Sequence, residues 1–263
     1  MPRQSVGSRA SVVSSFTIIK GAMIGETYSA FGQWSDDASK AENLRRLRDE
    51  NPIGAKSDNW LRDVAKVLNR RFDPAGRDRP LVQLARGGCD LEVWKPILLW
   101  HMTRDEFLVR DFLLHWVYPA FESGALRPQP RELEAWVRSA GKRGTTEHAW
   151  TEATLRRVAA GLLKMAADFG LLRATGAREF ESFHLREASF LYLLHAMYDE
   201  LKNPRRLLEA EDWRMYFMSA RDVERELLRL HQFRKLEYHV AGSLVELRLP
   251  CRSAAEYAER MTA

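Results

Sequence analysis

The chain reads as mainly α: an N-terminal helical domain followed by two winged-helix-like units with short β-hairpin wings. Three observations support this. Apolar residues recur at helical spacing along most of the chain. Breakers such as Asn51-Pro52, Gly87-Gly88 and Asn203-Pro204 cut that pattern into short pieces. The order helix, helix, helix, hairpin occurs twice in succession, as a likeness of pattern rather than of sequence.

Residues 1–15 read as a flexible lead-in and residues 16–89 as the helical domain. Ile18–Trp34 has helical periodicity, with small residues at Gly21, Ala22 and Gly25 that permit close packing. Asp36–Asn51 opens on acids and ends at Pro52, because a residue before proline avoids the α region. Lys56–Phe72 follows, capped by Ser57 or Asp58, with Leu61, Val64, Ala65, Leu68 and Phe72 on one face. Asp73–Pro80 is a loop rich in breakers. Residues 90–185 form the first winged-helix-like unit. Asp90 caps a helix over Leu91–His101, and helices follow over Asp105–Glu122 and Arg131–Ala140, with Pro130 in the first turn. The long helix Trp150–Gly170 ends on a glycine. Leu171–Leu185 reads as two strands around a Thr-Gly turn. Residues 186–250 form the second unit: Arg186–Lys202, a short helix to Phe217, a helix capped by Ser219, and a hairpin over Lys235–Pro250. Residues 251–263 form a tail with one short helix.

Composition bounds the function. The chain has 263 residues, 45% of them hydrophobic, and a formal net charge of +5. That is enough for one large core or a few small ones, and the basic excess suits a polyanionic partner. No run approaches the roughly 18 apolar residues of a membrane span, so no membrane insertion is expected. Two cysteines, Cys89 and Cys251, make no disulfide framework, and a reducing cytoplasm is the expected compartment.

Signals for catalysis are poor. His101, His115, His148, His184, His195, His231 and His239 show no metal-ligand spacing, and nucleophile-elbow, phosphate-loop and dinucleotide motifs do not occur. No enzyme activity, metal or cofactor is therefore expected. Asp36-Asp37, Glu106 and Asp111 read as caps or solvated faces. Cys89, ahead of a helix N-terminus, sits where a thiol pKa can fall, although a structural cysteine is the plainer reading.

Signals for binding are better. In a helix-turn-helix fold the third helix enters the major groove, while basic groups around it hold phosphates. On the Trp150 helix, Leu155, Val158, Leu162, Leu163 and Met165 supply the buried side. Arg156, Arg157 and Lys164 remain outside, Lys142 and Arg143 precede the helix, and Arg173 and Arg178 flank the wing turn. A second stripe is Arg221, Arg225 and Arg229, continued by Arg234 and Lys235. Glu224, Glu226, Glu237 and Glu246 weaken it and leave nucleic acid and protein equally open as its partner. A third is Arg62, Lys66 and Arg70, with Arg71 beside it. Its segment Lys56–Arg86 holds eight basic and four acidic residues, which a solvated amphipathic helix also explains.

Two stretches carry a resemblance. Ser15–Phe31 with Asn51–Phe72, through Lys20-Gly21, Glu26, Asn51, Gly54 and Lys56, resembles the opening of the BrxA family of bacterial BREX phage-defence systems. Trp150–Leu172, through Trp150, Thr154, Leu162 and Gly170-Leu171-Leu172, is similar to the same family. The resemblance covers Ser15 to about Leu194. It implies a non-enzymatic accessory protein of a defence locus. The family has been likened to a helical RNA-binding antitermination factor, with winged-helix DNA binding as the competing expectation. Its label as an inner-membrane protein does not fit a chain without an apolar span. The expected function is double-stranded DNA binding, mainly through phosphates. The alternatives are an adaptor for other BREX subunits, or RNA binding by the N-terminal domain.

Overall fold

The computed structural model describes residues 12–128, 130–140, 145–146, 149–175, 178–242 and 244–263. The protein is mainly helical with a small β-hairpin. The N-terminal part runs β1 (Val12–Val13), α1 (Ser15–Lys20), α2 (Ile24–Gly32), α3 (Lys40–Glu50), α4 (Asp58–Arg71) and α5 (Arg79–Arg86). The periodic stretch Ile18–Trp34 is thus two helices rather than one. The break lies at Gly21, with φ +89°, and Met23, with φ +53°. The carbonyls freed at the break are not lost to solvent. Arg71 is fully buried, and its guanidinium donates to the carbonyls of Thr17, Gly21 and Ala22 at 2.9, 3.0 and 3.2 Å and to the Glu106 carboxylate at 2.9 Å. A buried charge is tolerated when it is paired and hydrogen-bonded in this way.

The other starts follow capping chemistry. Ser39 makes a reciprocal capping box with Glu42, which moves the start of α3 three residues past the acids at Asp36-Asp37. Ser57, not Asp58, caps α4 by accepting from the Trp60 amide. The helix α5 was not anticipated: Pro80 ends the breaker-rich loop but also suits the first turn of a helix.

The middle part contains α6 (Leu91–Met102), α7 (Phe107–Phe112), a π-helical turn over Leu113–Val117, α8 (Tyr118–Glu122), α9 (Pro130–Arg138), β2 (Thr145–Thr146) and α10 (Glu152–Asp168). The side chain of Asp90 caps α6, as expected. Thr151 caps α10. At its other end Gly170, with φ +80°, lets the Gly170 and Leu171 amides bond back to Ala167 and Ala166, each at 2.9 Å. Among the described residues the hairpin expected over Leu171–Leu185 shows one antiparallel bridge, Leu172 to Phe180, closed by the Arg173 amide on Glu179 and the Glu181 amide on Leu171; Gly176 of its Thr-Gly turn lies outside them. On its outer edge the Phe180 amide donates to the Leu126 carbonyl at 3.1 Å.

The last part contains α11 (Glu187–Leu201), α12 (Pro204–Leu208), a 3-10 turn over Glu211–Tyr216, α13 (Ala220–Gln232), β3 (Glu237–Ala241), β4 (Leu244–Arg248) and α14 (Ala254–Thr262). Ser219 caps α13. β3 and β4 pair antiparallel, Glu237 opposite Arg248 and Val240 opposite Val245. Tyr238 and Leu247 point inward, and their neighbours are exposed, the period-2 pattern of a half-buried ribbon. The tail does form a helix, α14, and it packs on α5 and α11. Buried apolar residues from Val13 to Ala258 make one cluster. Inside it His101 stands between Asp78 (Nδ1 to Oδ1, 2.6 Å) and Tyr192 (Nε2 to Oη, 2.8 Å). Burial alone would push the Asp78 carboxyl up, but bonds from His101 and Arg77 and the Asp73 amide hold it below its usual range. Burial pushes the Tyr192 phenol up.

Candidate nucleic-acid interface

Helix α1 is the strap that brings two basic helices together. On one side it packs on α10, where Gly161 leaves no side chain between them. A Cβ there would lie 2.7 Å from the Ile18 carbonyl oxygen. On the other side it meets α4: Lys20 pairs with Asp63, and the Lys66 ammonium lies 4.5 Å from the centre of the Phe16 ring. β1 runs parallel to β2, and the Arg70 guanidinium donates to the Val12 carbonyl at 3.0 Å. Arg62 and Lys66 on α4 therefore share a neighbourhood with α10 through a helix of six residues. Arg70 does not present its charge there in the same way, because it anchors the backbone of β1.

On α10 the register places Arg157 and Lys164 one turn either side of Gly161, on the stripe that meets α1. Lys164 pairs with Asp168 at 2.9 Å and lies 3.6 Å from the position a Gly21 Cβ would take. Arg156 is one residue round from Arg157. Both are exposed, and among the described residues neither has an ion-pair partner. The nearest candidate acid, Glu152, is held elsewhere: Arg138 Nη2 donates to its Oε2 at 2.8 Å, so its pKa lies below the usual range. This exposed pair ties α9 to the first turn of α10; Arg156 makes no direct ion pair with Glu152, its i−4 carboxylate, although the two charges still attract.

The remaining expected contacts are distributed unevenly. Arg173 is held by Glu179 at 2.7 Å and by Glu181 at 3.3 Å. Arg178 is half-buried and, among the described residues, has no ion-pair partner. Lys142 and Arg143 lie outside the described residues. On α13 Arg221 is exposed and unpaired among the described residues, Arg225 meets Asp222 at 2.5 Å, and Arg229 meets Glu226 at 2.6 Å and Glu187 at 2.9 Å. Those two carboxylates push the Arg229 pKa up. The same unit exposes Leu228, Phe233, Val240 and Leu244.

Sequence reasoning missed Lys20, Phe16 and Trp60 as parts of this surface. Lys20 lies 5.6 Å from the Phe16 ring centre and 5.8 Å from that of Trp60. Phe16 and Lys20 are four apart on α1, the one available signal. Cys89 is not an activated thiol: burial, with Asp90 beside it, pushes its pKa up to about 11. Among the described residues no cluster suits a metal ion, and no helix is long and apolar enough to cross a membrane.

These features define a mainly helical protein with two exposed arginines, without ion-pair partners among the described residues, side by side on its longest described helix, near the basic helix α4. The chain belongs to the BrxA family, whose model matches residues 15–196. Its fold is similar to that of an uncharacterized protein from Magnetospirillum magneticum, known from a crystal structure. That likeness has 15% identity and a TM-score of 0.59, and covers 78% of this chain and 99% of that one. No curated protein matches.

Proposed function

We propose that this protein binds double-stranded DNA, mainly through phosphates, as a non-enzymatic accessory protein of a BREX anti-phage system in the cytoplasm. The observation that carries the reading is the exposed pair Arg156 and Arg157 on α10, neither with an ion-pair partner among the described residues, set near Arg62 and Lys66 through α1. An arginine already bonded to a carboxylate gains little by exchanging it for a phosphate. A free, exposed one releases condensed counterions when it binds. The order α8, α9, α10 and the Leu172–Phe180 bridge supports a winged-helix-like unit with α10 as its groove-facing helix, and the hairpin after α13 supports a second.

A gel-shift titration on duplex DNA at low salt tests this. Binding that fails in the Arg156→Glu, Arg157→Glu double variant, with folding retained, supports it; no duplex binding by the parent chain refutes it. Competition with structured RNA decides between duplex DNA and the RNA reading. A second role, as an adaptor for other BREX subunits, is favoured for the last unit alone. Its arginines Arg225 and Arg229 are spent on acids, and its exposed side chains Leu228, Phe233, Val240 and Leu244 are apolar, as at protein contacts.

A further inference from the structure

A cleft of about 400 Å³ lies where α14 crosses α5 and α11, away from the basic helices. Its polar groups divide into those already engaged and those not. Arg77 is bonded to Asp105, Asp199 accepts from the Ala254 amide at 2.8 Å, and Glu200 is paired with Arg104. Three groups in the lining are left over. Arg79, at the start of α5, and Glu259, on α14, have no ion-pair partner among the described residues, nor do they pair with each other. The side-chain amide oxygen of Gln83 (Oε1), one turn along α5 from Arg79, is closed off from solvent and accepts no hydrogen bond from the described residues. A buried acceptor left unmet costs on the order of 1–3 kcal/mol, so a donor is expected against it. His101 and Tyr192, bonded to each other, and Ser253, which caps α14, also line it, and Pro80, Ala196 and Ala254 make its apolar side.

The geometry points to a binding site for a small amino-acid-like zwitterion. Its carboxylate meets Arg79, its ammonium meets Glu259 and draws the Gln83 side-chain oxygen toward the cleft, and its side chain lies on Pro80, Ala196 and Ala254. A simple anion would face Glu259 and a simple cation would face Arg79, so only a ligand carrying both charges satisfies both walls. The volume sits near the lower end of ligand pockets, which suits a molecule of this size. Because Arg79 and Gln83 belong to α5 and Glu259 to α14, the ligand ties the C-terminal helix to the N-terminal part. This site is independent of DNA binding.

The test is thermal unfolding of the full chain with each of the common L-amino acids, against acetate and methylamine, which carry one charge each. At a few millimolar, one or more amino acids raises the melting temperature by about 2 °C or more, and neither control does. Arg79→Gln and Glu259→Gln each abolish that shift. Both side chains are exposed, so each variant melts close to the parent without ligand, and both still shift duplex DNA. The site is overturned if no amino acid raises the melting temperature, if acetate or methylamine raises it equally, or if the shift survives both substitutions.

Discussion

Arg71 continues the basic run of Arg62, Lys66 and Arg70 in sequence, yet it is buried against Glu106 and three carbonyls at the α1–α2 break. Nothing in its spacing announces this, because the groups that require it come from residues far away in the chain. Arg71→Met leaves Glu106 and those carbonyls without their donor. Breaking a buried pair costs about 3–5 kcal/mol, so the variant melts roughly 10 °C lower, whereas Lys66→Met on the exposed side stays within about 0.5 kcal/mol. Thermal unfolding followed by circular dichroism separates the two. His195 gives a pH prediction of the same kind. Burial lowers its pKa; Nδ1 donates to the Leu191 carbonyl at 2.6 Å and Nε2 accepts from the Cys251 amide at 3.2 Å. The unfolded chain therefore binds a proton more readily than the folded one. Stability is full above the unfolded value of about 6.5 and falls as pH drops from there through the lowered folded value. Protonation also removes the acceptor that holds the entry to α14. Melting temperature should fall between pH 7.5 and 5.5, with part of that fall absent in His195→Gln.

At the scale of elements, close approach and capping decide most boundaries. Gly161 touches the backbone of α1, so Gly161→Ala must push α1 away from α10, at a cost of about 1–3 kcal/mol. A lower denaturant midpoint checks this, and DNA affinity should fall with it, because α1 is what sets α4 beside α10. Capped elements were the legible ones: Ser57, Asp90, Pro130, Gly170 and Ser219 mark ends where the helices do begin or stop. Such signals are local, written within a few residues. The break at Gly21, the helix α5 and the shortened ladder after Leu172 were not legible. The first two are set by distant partners: Arg71 for the break, and α2 and α14 for α5. The candidate surface was legible in the same partial way. Spacing identified Arg156 and Arg157 as outward-facing and the acids within α13 as partners for its arginines, but only tertiary contacts show that Glu152 is bonded to Arg138 and that Glu187 joins Glu226 on Arg229.

At the scale of the whole molecule, the net charge of +5 is too small to explain duplex binding without regard to where the charges lie. What matters is which cations are free to exchange counterions for phosphate. By that criterion α10 and α4 are the proposed binding side, while on α13 Arg225 and Arg229 are paired with acids and, among the described residues, Arg221 alone is left over. The salt dependence of affinity measures this directly, since the slope of log affinity against log salt is about −0.9 per phosphate neutralised. Replacing Arg156 and Arg157 by Gln removes two uncompensated charges, so the slope should become shallower by about 2 units. Replacing Arg225 and Arg229 by Gln also removes two charges. There Asp222, Glu226 and Glu187 already supply the counter-charge, so the slope should barely change. Fluorescence anisotropy on one duplex across a salt series, with both variants checked for parental helicity, decides the matter. Equal flattening in the two variants would mean that both units lie on the DNA, and would remove the case for an adaptor role in the last one.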